Sequence, residues 1–314
     1  MFLLDPLKEY DPTFFRINRV GSNPSGAGSR IQWTEAQNNY IVQCYNQQKS
    51  VKLLSQLFST SEETMRNHLH RLGVSTLSRY EKGLFNRHRD SNFFHVIDTP
   101  EKAYWLGFMY ADGYVNEDRN FIRINLKADD EAHLKKFLFC LQAIGFPIQQ
   151  QSKVMDGNIF YQSYINIVDH QLVKDLVDKG CFQIKTFDIK YPDESIVPKC
   201  LQSHFIRGLM DADGCITYTT RNNSDLKFFE LQFNGTYDLV TGIKHYFNLD
   251  HLKITQANNI CVLQIGGNVQ VYNILTNIYK NSYYEIELDR KRQLYDGLKW
   301  QRDNMFGYKK EVLS

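Results

Sequence analysis

No stretch of this 314-residue sequence approaches the ~20 consecutive apolar residues that a membrane span requires. The apolar opening Met1-Phe2-Leu3-Leu4 stops at Asp5-Pro6, too soon for a signal-peptide core, so no targeting segment is expected. Cysteine is sparse: Cys44, Cys140, Cys181, Cys200, Cys215 and Cys261 are widely scattered with no C-x-x-C pair. That spacing argues against a disulfide framework or structural zinc, and it suits reduced thiols in the cytoplasm. An excess of one charge is missing too, since 37 Lys and Arg against 35 Asp and Glu leave only +2. Charge alone would not suggest a nucleic-acid binder. The balance is an average over unlike parts: residues 1–90 carry 12 basic and 8 acidic groups, residues 91–314 carry 25 and 27. What the chain does have is 21 Phe and 19 Tyr in a 42% hydrophobic composition, which excludes wholesale disorder. Its length predicts about two domains.

Gly21 to Ser29 (GSNPSGAGS) is small, polar and broken by Gly and Pro, so it reads as a linker that closes an N-terminal segment, residues 1–30. The residues before it include Phe14 and Phe15 but show no period. From Trp33 onward the pattern is helical. Thr34, Ser50 and Ser61 each stand where an N-cap belongs, ahead of apolar stripes at Ile41/Tyr45, Val51/Leu54/Phe58 and Met65/Leu69/Leu72. Glu62 and Glu63 sit in the first turn of the third helix, where the helix dipole favours carboxylates, and Gly73 ends it. Short helices joined by a tight polar turn predict a helix-turn-helix over residues 31–78. Its third helix would present Arg66, Asn67 and His70 as base-contacting residues, the competing reading being a small packing module with a solvated face. His68 and His70, two apart, fall on different sides of the helix and form no metal pair. Arg79, Lys82, Arg87, His88 and Arg89 make residues 79–92 a basic connector suited to tracking phosphates.

The rest of the chain contains an internal repeat. Ala103-Tyr-Trp-Leu-Gly-Phe-Met-Tyr-Ala-Asp-Gly113 and His204-Phe-Ile-Arg-Gly-Leu-Met-Asp-Ala-Asp-Gly214 align Gly107 with Gly208 and Asp112 with Asp213, both at an offset of 101 residues. After each comes the same order of expected elements: a hairpin (114–127, 215–233), a helix (130–144, 236–247), a second hairpin (147–168, 251–266) and a helix (169–179, 267–280). The second hairpins turn at Asp156-Gly157-Asn158 and at Asn258-Asn259. The fold class is therefore α+β, with two αββαββα units over 93–192 and 193–300, and a C-terminal tail over 301–314. A glycine inside a helix costs roughly 0.5–1 kcal/mol relative to alanine. A second backbone packed against Gly107 and Gly208 would offset that cost, and would bring Asp112 and Asp213 together. Two converging carboxylates repel unless cations lie between them, and hard oxygen ligands select Mg²⁺ or a similar ion. Such ions can activate water against a phosphodiester. One Asp-Gly alone would read as a helix end and turn; two copies with the same sequel outweigh that.

Trp105-Leu-Gly-Phe-Met-Tyr-Ala-Asp-Gly113 and Ile206-Arg-Gly-Leu-Met-Asp-Ala-Asp-Gly214 resemble the paired motifs of the LAGLIDADG homing endonucleases. The match covers about two-thirds of the chain, and Phe93 to Trp105 (FFHVIDTPEKAYW) resembles the approach to the first motif in bacterial and phage members. The resemblance implies a monomer of two pseudo-symmetric halves whose sheets form a saddle over DNA. It also implies Mg²⁺-dependent (or Mn²⁺-dependent) double-strand cleavage across the minor groove of a long target, in a prokaryotic or phage-infected cytoplasm. Asp112 and Asp213 carry over as catalytic metal ligands. The family often adds a lysine near each centre, and the matching positions are Lys185 and Lys291, which could polarise water or offset charge on phosphate; surface lysines are the alternative. Asp129 is too loosely aligned to count as a ligand. Tyr110 stands where the second motif has Asp211, a position that is not the metal ligand in the family. A chain opening on Met1 and closing on Val312-Leu313-Ser314 lacks splicing residues, so a free-standing or intron-encoded protein is expected rather than an intein.

Strand alternation marks the side chains that would face DNA. Arg123, Asn125 and Lys127 alternate with Ile122, Ile124 and Leu126; Thr217, Thr219 and Arg221 alternate with Ile216 and Tyr218; Glu230 and Gln232 alternate with Phe229, Leu231 and Phe233. Such rows have guanine, adenine, cytosine and phosphate partners in a major groove, although an ordinary solvent face explains the alternation equally well. Two rival functions stay open on sequence: a DNA-binding regulator or intron-splicing maturase that kept the fold and lost cutting, with intron RNA as a second partner, and an α/β protein with coincidental Asp-Gly helix ends.

Overall fold

The computed structural model describes residues 11–21, 30–85, 87–155, 157–182, 189–220, 226–257 and 260–305. Lys185, Arg221, Asp156, the Asn258-Asn259 turn, residues 22–29 of the expected linker and most of the expected tail lie outside them. The chain divides into two units, residues 1–88 with Ala143–Phe146, and Arg89–Gln142 with Pro147–Ser314.

In the first unit a 3-10 turn, Pro12–Phe15, is capped by the Asp11 side chain. Two short antiparallel strands follow, β1 (Asn18–Val20) and β2 (Arg30–Gln32). The helices α1 (Glu35–Gln48), α2 (Val51–Leu57) and α3 (Glu62–Arg71) begin at the three expected caps, Thr34, Ser50 and Ser61, each accepting from a backbone N–H in the first turn. Thr34 and Gln37 form a reciprocal capping box. Tyr40, Ile41, Tyr45, Leu54, Phe58, Met65 and Leu69 close the core, and Gly73 leaves α3 at φ +76°. Phe14, Phe15 and Ile17 pack against this same core. Phe14, Phe15 and Ile17, just before the Gly/Ser run, are therefore part of the helical unit, the aromatic rings meeting Tyr40 and Phe58 edge-on. The expected connector begins as a further helix, α4 (Arg79–Phe85).

The second unit contains the repeat in full. The first copy runs α5 (Pro100–Ala111), β3 (Gly113–Asn116), β4 (Phe121–Lys127), α6 (Glu131–Cys140), β5 (Gln149–Met155), β6 (Asn158–Val168), α7 (His170–Asp178). The second runs α8 (Gln202–Ala212), β7 (Cys215–Thr220), β8 (Lys227–Gly235), α9 (Tyr237–Tyr246), β9 (Ile254–Ala257), β10 (Ile260–Gly266), α10 (Asn268–Tyr279). Each copy forms an antiparallel four-stranded sheet in the same order, β3-β4-β6-β5 and β7-β8-β10-β9. The protein thus has the α+β fold of two αββαββα units.

Alternation sorts the strands as expected. Ile122, Ile124 and Leu126 of β4 are buried, as are Phe229, Leu231 and Phe233 of β8. Tyr218 lies on the core side of β7, opposite Phe229, yet remains 42% exposed, its ring met by Phe229 and by the Lys227 ammonium. Arg89, expected on phosphate, instead donates to Asp169 at 2.6 Å and to the Val168 carbonyl at 2.7 Å. Asp169 is the N-cap of α7 and also accepts from Ser91, so Arg89 anchors a helix start. A last helix, α11 (Asp289–Met305), follows the second copy. Its start is tied to the first copy by Lys136–Asp289 at 2.7 Å and Arg290–Asp130 at 3.0 Å. All six cysteines are free thiols. Among the described residues no helix is long and apolar enough to cross a membrane.

Candidate functional site

The site starts from two glycines. A Cβ on Gly107 would lie 2.0 Å from the Phe205 carbonyl oxygen, and one on Gly208 would lie 2.0 Å from that of Tyr104. Helices α5 and α8 therefore touch backbone to backbone, which no larger residue permits. Around that contact Trp105, Phe108, Phe205, Ile206 and Met210 are wholly buried. Both helices end together, at Asp112 and Asp213, which close the last turns by N–H bonds to Phe108 and Leu209. The next residues must also be glycine, since a Cβ at Gly113 or Gly214 would run into Met109 or Met210. Each carboxylate hangs at the negative end of a helix dipole, an unfavourable place unless positive charge is nearby.

Lys291, near the start of α11, supplies some of it. Its side chain is only 3% exposed, and its Nζ donates to the carbonyl oxygens of Met210, Asp211, Ala212 and Gly214. Three N–H bonds shared among these carbonyls gather the loose C-terminus of α8 and fix the backbone on either side of Asp213. Desolvation pushes the ammonium down to about 8, while Asp211 first, then Asp112 and Asp213, favour its charged form. One ammonium thus feels both helix-end acids. Lys291 is therefore not a surface lysine: its Nζ turns inward because four carbonyls outbid solvent for its donors.

Sequence reasoning passed over Asp211, noting only that it differs from Tyr110. Asp211 is buried and accepts from Tyr104 Oη at 2.8 Å, Tyr279 Oη at 2.6 Å and the Leu288 N–H at 2.8 Å. Burial pushes its carboxyl up, with Lys291 and these donors pulling the other way. Tyr279 ends α10, whereas Tyr110 donates to the carbonyl of Lys179, just after α7. The two copies thus make the same tie, central helix to last helix, with different side chains. Arg207 is buried beside them, donating to the carbonyls of Ile286 (2.7 Å) and Ile278. Tyr104 also meets His133 of α6 at 2.9 Å.

The donor set at the helix ends suits a hard divalent cation that arrives partly hydrated. Among the described residues no three His, Cys, Asp or Glu gather as a ready cluster, Asp129 included. The chain offers Asp112 and Asp213, and the remaining oxygens would come from phosphate and water, which is how Mg²⁺ usually sits with phosphate substrates.

The outward sheet faces carry the expected polar rows and more. Arg123 donates to Asn166 at 3.3 Å and Asn125 to Gln162 at 3.2 Å. The register sets Arg123 beside Asn166, Asn125 beside Tyr164 and exposed Lys127 beside Gln162, so β6 extends a face that sequence reasoning confined to β4. Its own alternation, Ile165 and Ile167 inward, could have revealed it. In the second copy Thr217 and Thr219 are exposed, Gln232 is half-buried, and Glu230 accepts from Gln264 Nε2. In the first unit Arg66, Asn67 and His70 are exposed along α3. His68, on the opposite side, is buried, stacks on Trp33 at 4.4 Å and bonds Asn38 at 2.8 Å.

No protein-family model and no curated protein matches the chain. Solved structures do resemble it. The chain is similar to LAGLIDADG homing endonucleases. The homing endonuclease I-WcaI bound to its DNA recognition sequence is 15% identical, covering 69% of this chain and 94% of that one, with a TM-score of 0.47. The LAGLIDADG meganuclease I-AabMI bound to uncleaved DNA is 15% identical over 66% of this chain and 91% of its own, with a TM-score of 0.41. Full-length DUF199/WhiA from Thermatoga maritima is also 15% identical, over 68% of this chain and 65% of its own, with a TM-score of 0.38.

Proposed function

We propose that this protein is a divalent-metal-dependent, site-specific endonuclease acting on duplex DNA. The observation that carries the reading is the meeting of α5 and α8 at Gly107 and Gly208, which ends both helices in Asp112 and Asp213 around the Lys291 ammonium. The helix dipoles behind these paired acids favour cations beside them.

Asp112 and Asp213 would hold Mg²⁺ or Mn²⁺. A bound ion supplies charge that stabilises the leaving oxygen of a phosphodiester and lowers the pKa of an attacking water. Lys291 keeps the α8 terminus, and with it Asp213, in place while charge changes nearby. Arg123, Asn125 and Lys127 in one sheet, and Thr217, Thr219, Glu230 and Gln232 in the other, would fix the duplex by phosphate and base-edge contacts. Arg66, Asn67 and His70 of α3 would read a further segment as a helix-turn-helix does, lengthening the target. A single chain with both copies needs no partner subunit to present two acids, so the working form is a monomer.

The test is incubation with a library of duplex targets and Mg²⁺, for the wild type and for Asp112→Asn and Asp213→Asn. Nicking or cutting by the wild type alone, with binding kept in all three, supports the reading. Equal binding by all with no cleavage by any assigns the protein instead to DNA-binding regulators or maturases.

A further inference from the structure

We infer that the β1–β2 hairpin is a second DNA-contacting element of the first unit, an arginine-bearing arm that enters a groove of the duplex and grips phosphates on both of its walls. This rests on the reading that α3 docks on DNA.

Two strands of three residues are far too short to be stable alone, and this pair buries almost nothing: every residue but the half-buried Ile31 is exposed. What holds it is its base. Gln37 of α1 is buried and donates through Nε2 to the carbonyls of Phe14 (2.7 Å) and Arg16 (3.1 Å), fixing the approach to β1. On the other side β2 runs directly into Trp33, which stacks on His68 of α3 and meets Phe58 edge-on at 5.3 Å. The hairpin is thus rigidly mounted on the helix that carries Arg66, Asn67 and His70, yet it adds no core. Two strands fixed at the root, with five of their six residues exposed, are built to touch something else.

Its charge says what. From Pro12 to Thr34 the sequence has three arginines, Arg16, Arg19 and Arg30, and no Asp or Glu. All three are exposed, and none has an ion-pair partner among the described residues. The register adds a geometric condition. Val20 lies opposite Arg30 and Arg19 opposite Ile31, and residues directly opposed share a face. Arg19 and Arg30 therefore leave opposite faces of the ribbon. A flat acidic surface could engage only one of them. A groove flanked by phosphates on both sides engages both, and the DNA major groove is wide enough to admit a two-stranded ribbon.

The experiment uses the full chain and mixed-sequence duplex DNA across a salt series, with hydroxyl-radical footprints on duplexes that the wild type selects from a random pool. The triple variant Arg16→Ala/Arg19→Ala/Arg30→Ala should bind about tenfold more weakly at moderate salt, with the log–log salt slope reduced by about 2–3. Its melting temperature should stay unchanged and the footprint should shorten at one end only. Lysine at all three positions should restore the slope. A triple-alanine variant with wild-type slope and footprint overturns the inference while leaving the DNA-binding reading intact. A wild type without DNA affinity even at low salt overturns both.

Discussion

Tyr104 of the first copy donates its hydroxyl to the carboxylate of Asp211 in the second at 2.8 Å, across the line where the two copies meet. With Tyr279, the Leu288 N–H and nearby Lys291, this buried carboxylate links α5, α8, α10 and the approach to α11. The candidate acids lie at the rim of that network, so its integrity sets how well their positions are held.

Breaking one member should cost more than removing two. Asp211→Leu strips Lys291 of its main counter-charge and leaves two tyrosine hydroxyls and an N–H without their acceptor. About 3–5 kcal/mol of destabilisation is expected. The double variant Asp211→Leu/Lys291→Met should recover part of it. Urea unfolding of the four proteins in the cycle measures the coupling, and simple additivity would deny it.

The glycine contact gives a sharper contrast. Gly107→Ala or Gly208→Ala sets a methyl 2.0 Å from a carbonyl oxygen, so α5 and α8 must separate, at a cost of about 3 kcal/mol or more. Gly297, inside α11, has nothing within 4 Å of its would-be Cβ. There the same substitution should stabilise by about 0.5–1 kcal/mol through helix propensity. Thermal melts of the three variants show whether the signs differ as expected.

Much of this was legible in the sequence because it repeats locally. The three N-caps, the strand alternation of Ile122, Ile124 and Leu126, and the 101-residue offset are short-range patterns, and each reappears as an element or a buried face. Three features were not legible. Phe14 and Phe15 find their partners on α1 and α2, so their role in the core leaves no local period. Arg89 was classed by charge, but its environment is a helix cap that forms only when residue 169 is brought to it. Lys291 matches a position near the helix-end acids, yet its direction depends on four carbonyls exposed only by the way α8 ends. Sequence distance hides such partners, and charge alone does not say whether a cation faces solvent or a helix terminus.

Acidification should weaken the unit that contains His68. Burial, with help from Arg71, holds this imidazole down to about 4, below its ordinary 6.5. Above about pH 6.5 it is neutral in both folded and unfolded chains and costs nothing. Between 6.5 and 4 the unfolded chain takes up a proton that the folded one refuses, so stability falls as pH drops through that window, by at most about 3 kcal/mol. His68→Phe should preserve the stack on Trp33 and flatten this part of the pH profile, although it leaves Asn38 unpaired and lowers stability near neutrality. Tryptophan fluorescence melts at pH 7 and pH 4.5 provide the comparison. A variant as acid-sensitive as the wild type would place the titrating group elsewhere.

The acids at the helix ends separate binding from cutting. Asp112→Asn and Asp213→Asn each keep the size of the side chain and remove one charge from the region that Lys291 senses. Cleavage should fall by several orders of magnitude in both, while DNA affinity measured without metal holds or rises slightly, since one repulsion with phosphate is gone. Thermal stability should hold or rise too, because a carboxylate at a helix C-terminus opposes the dipole. A loss of folding in either variant would mean that the acid serves the structure, and the pair would then lose its claim to be a metal site. Cutting by the double variant at the wild-type rate would move the chemistry away from these helix ends altogether.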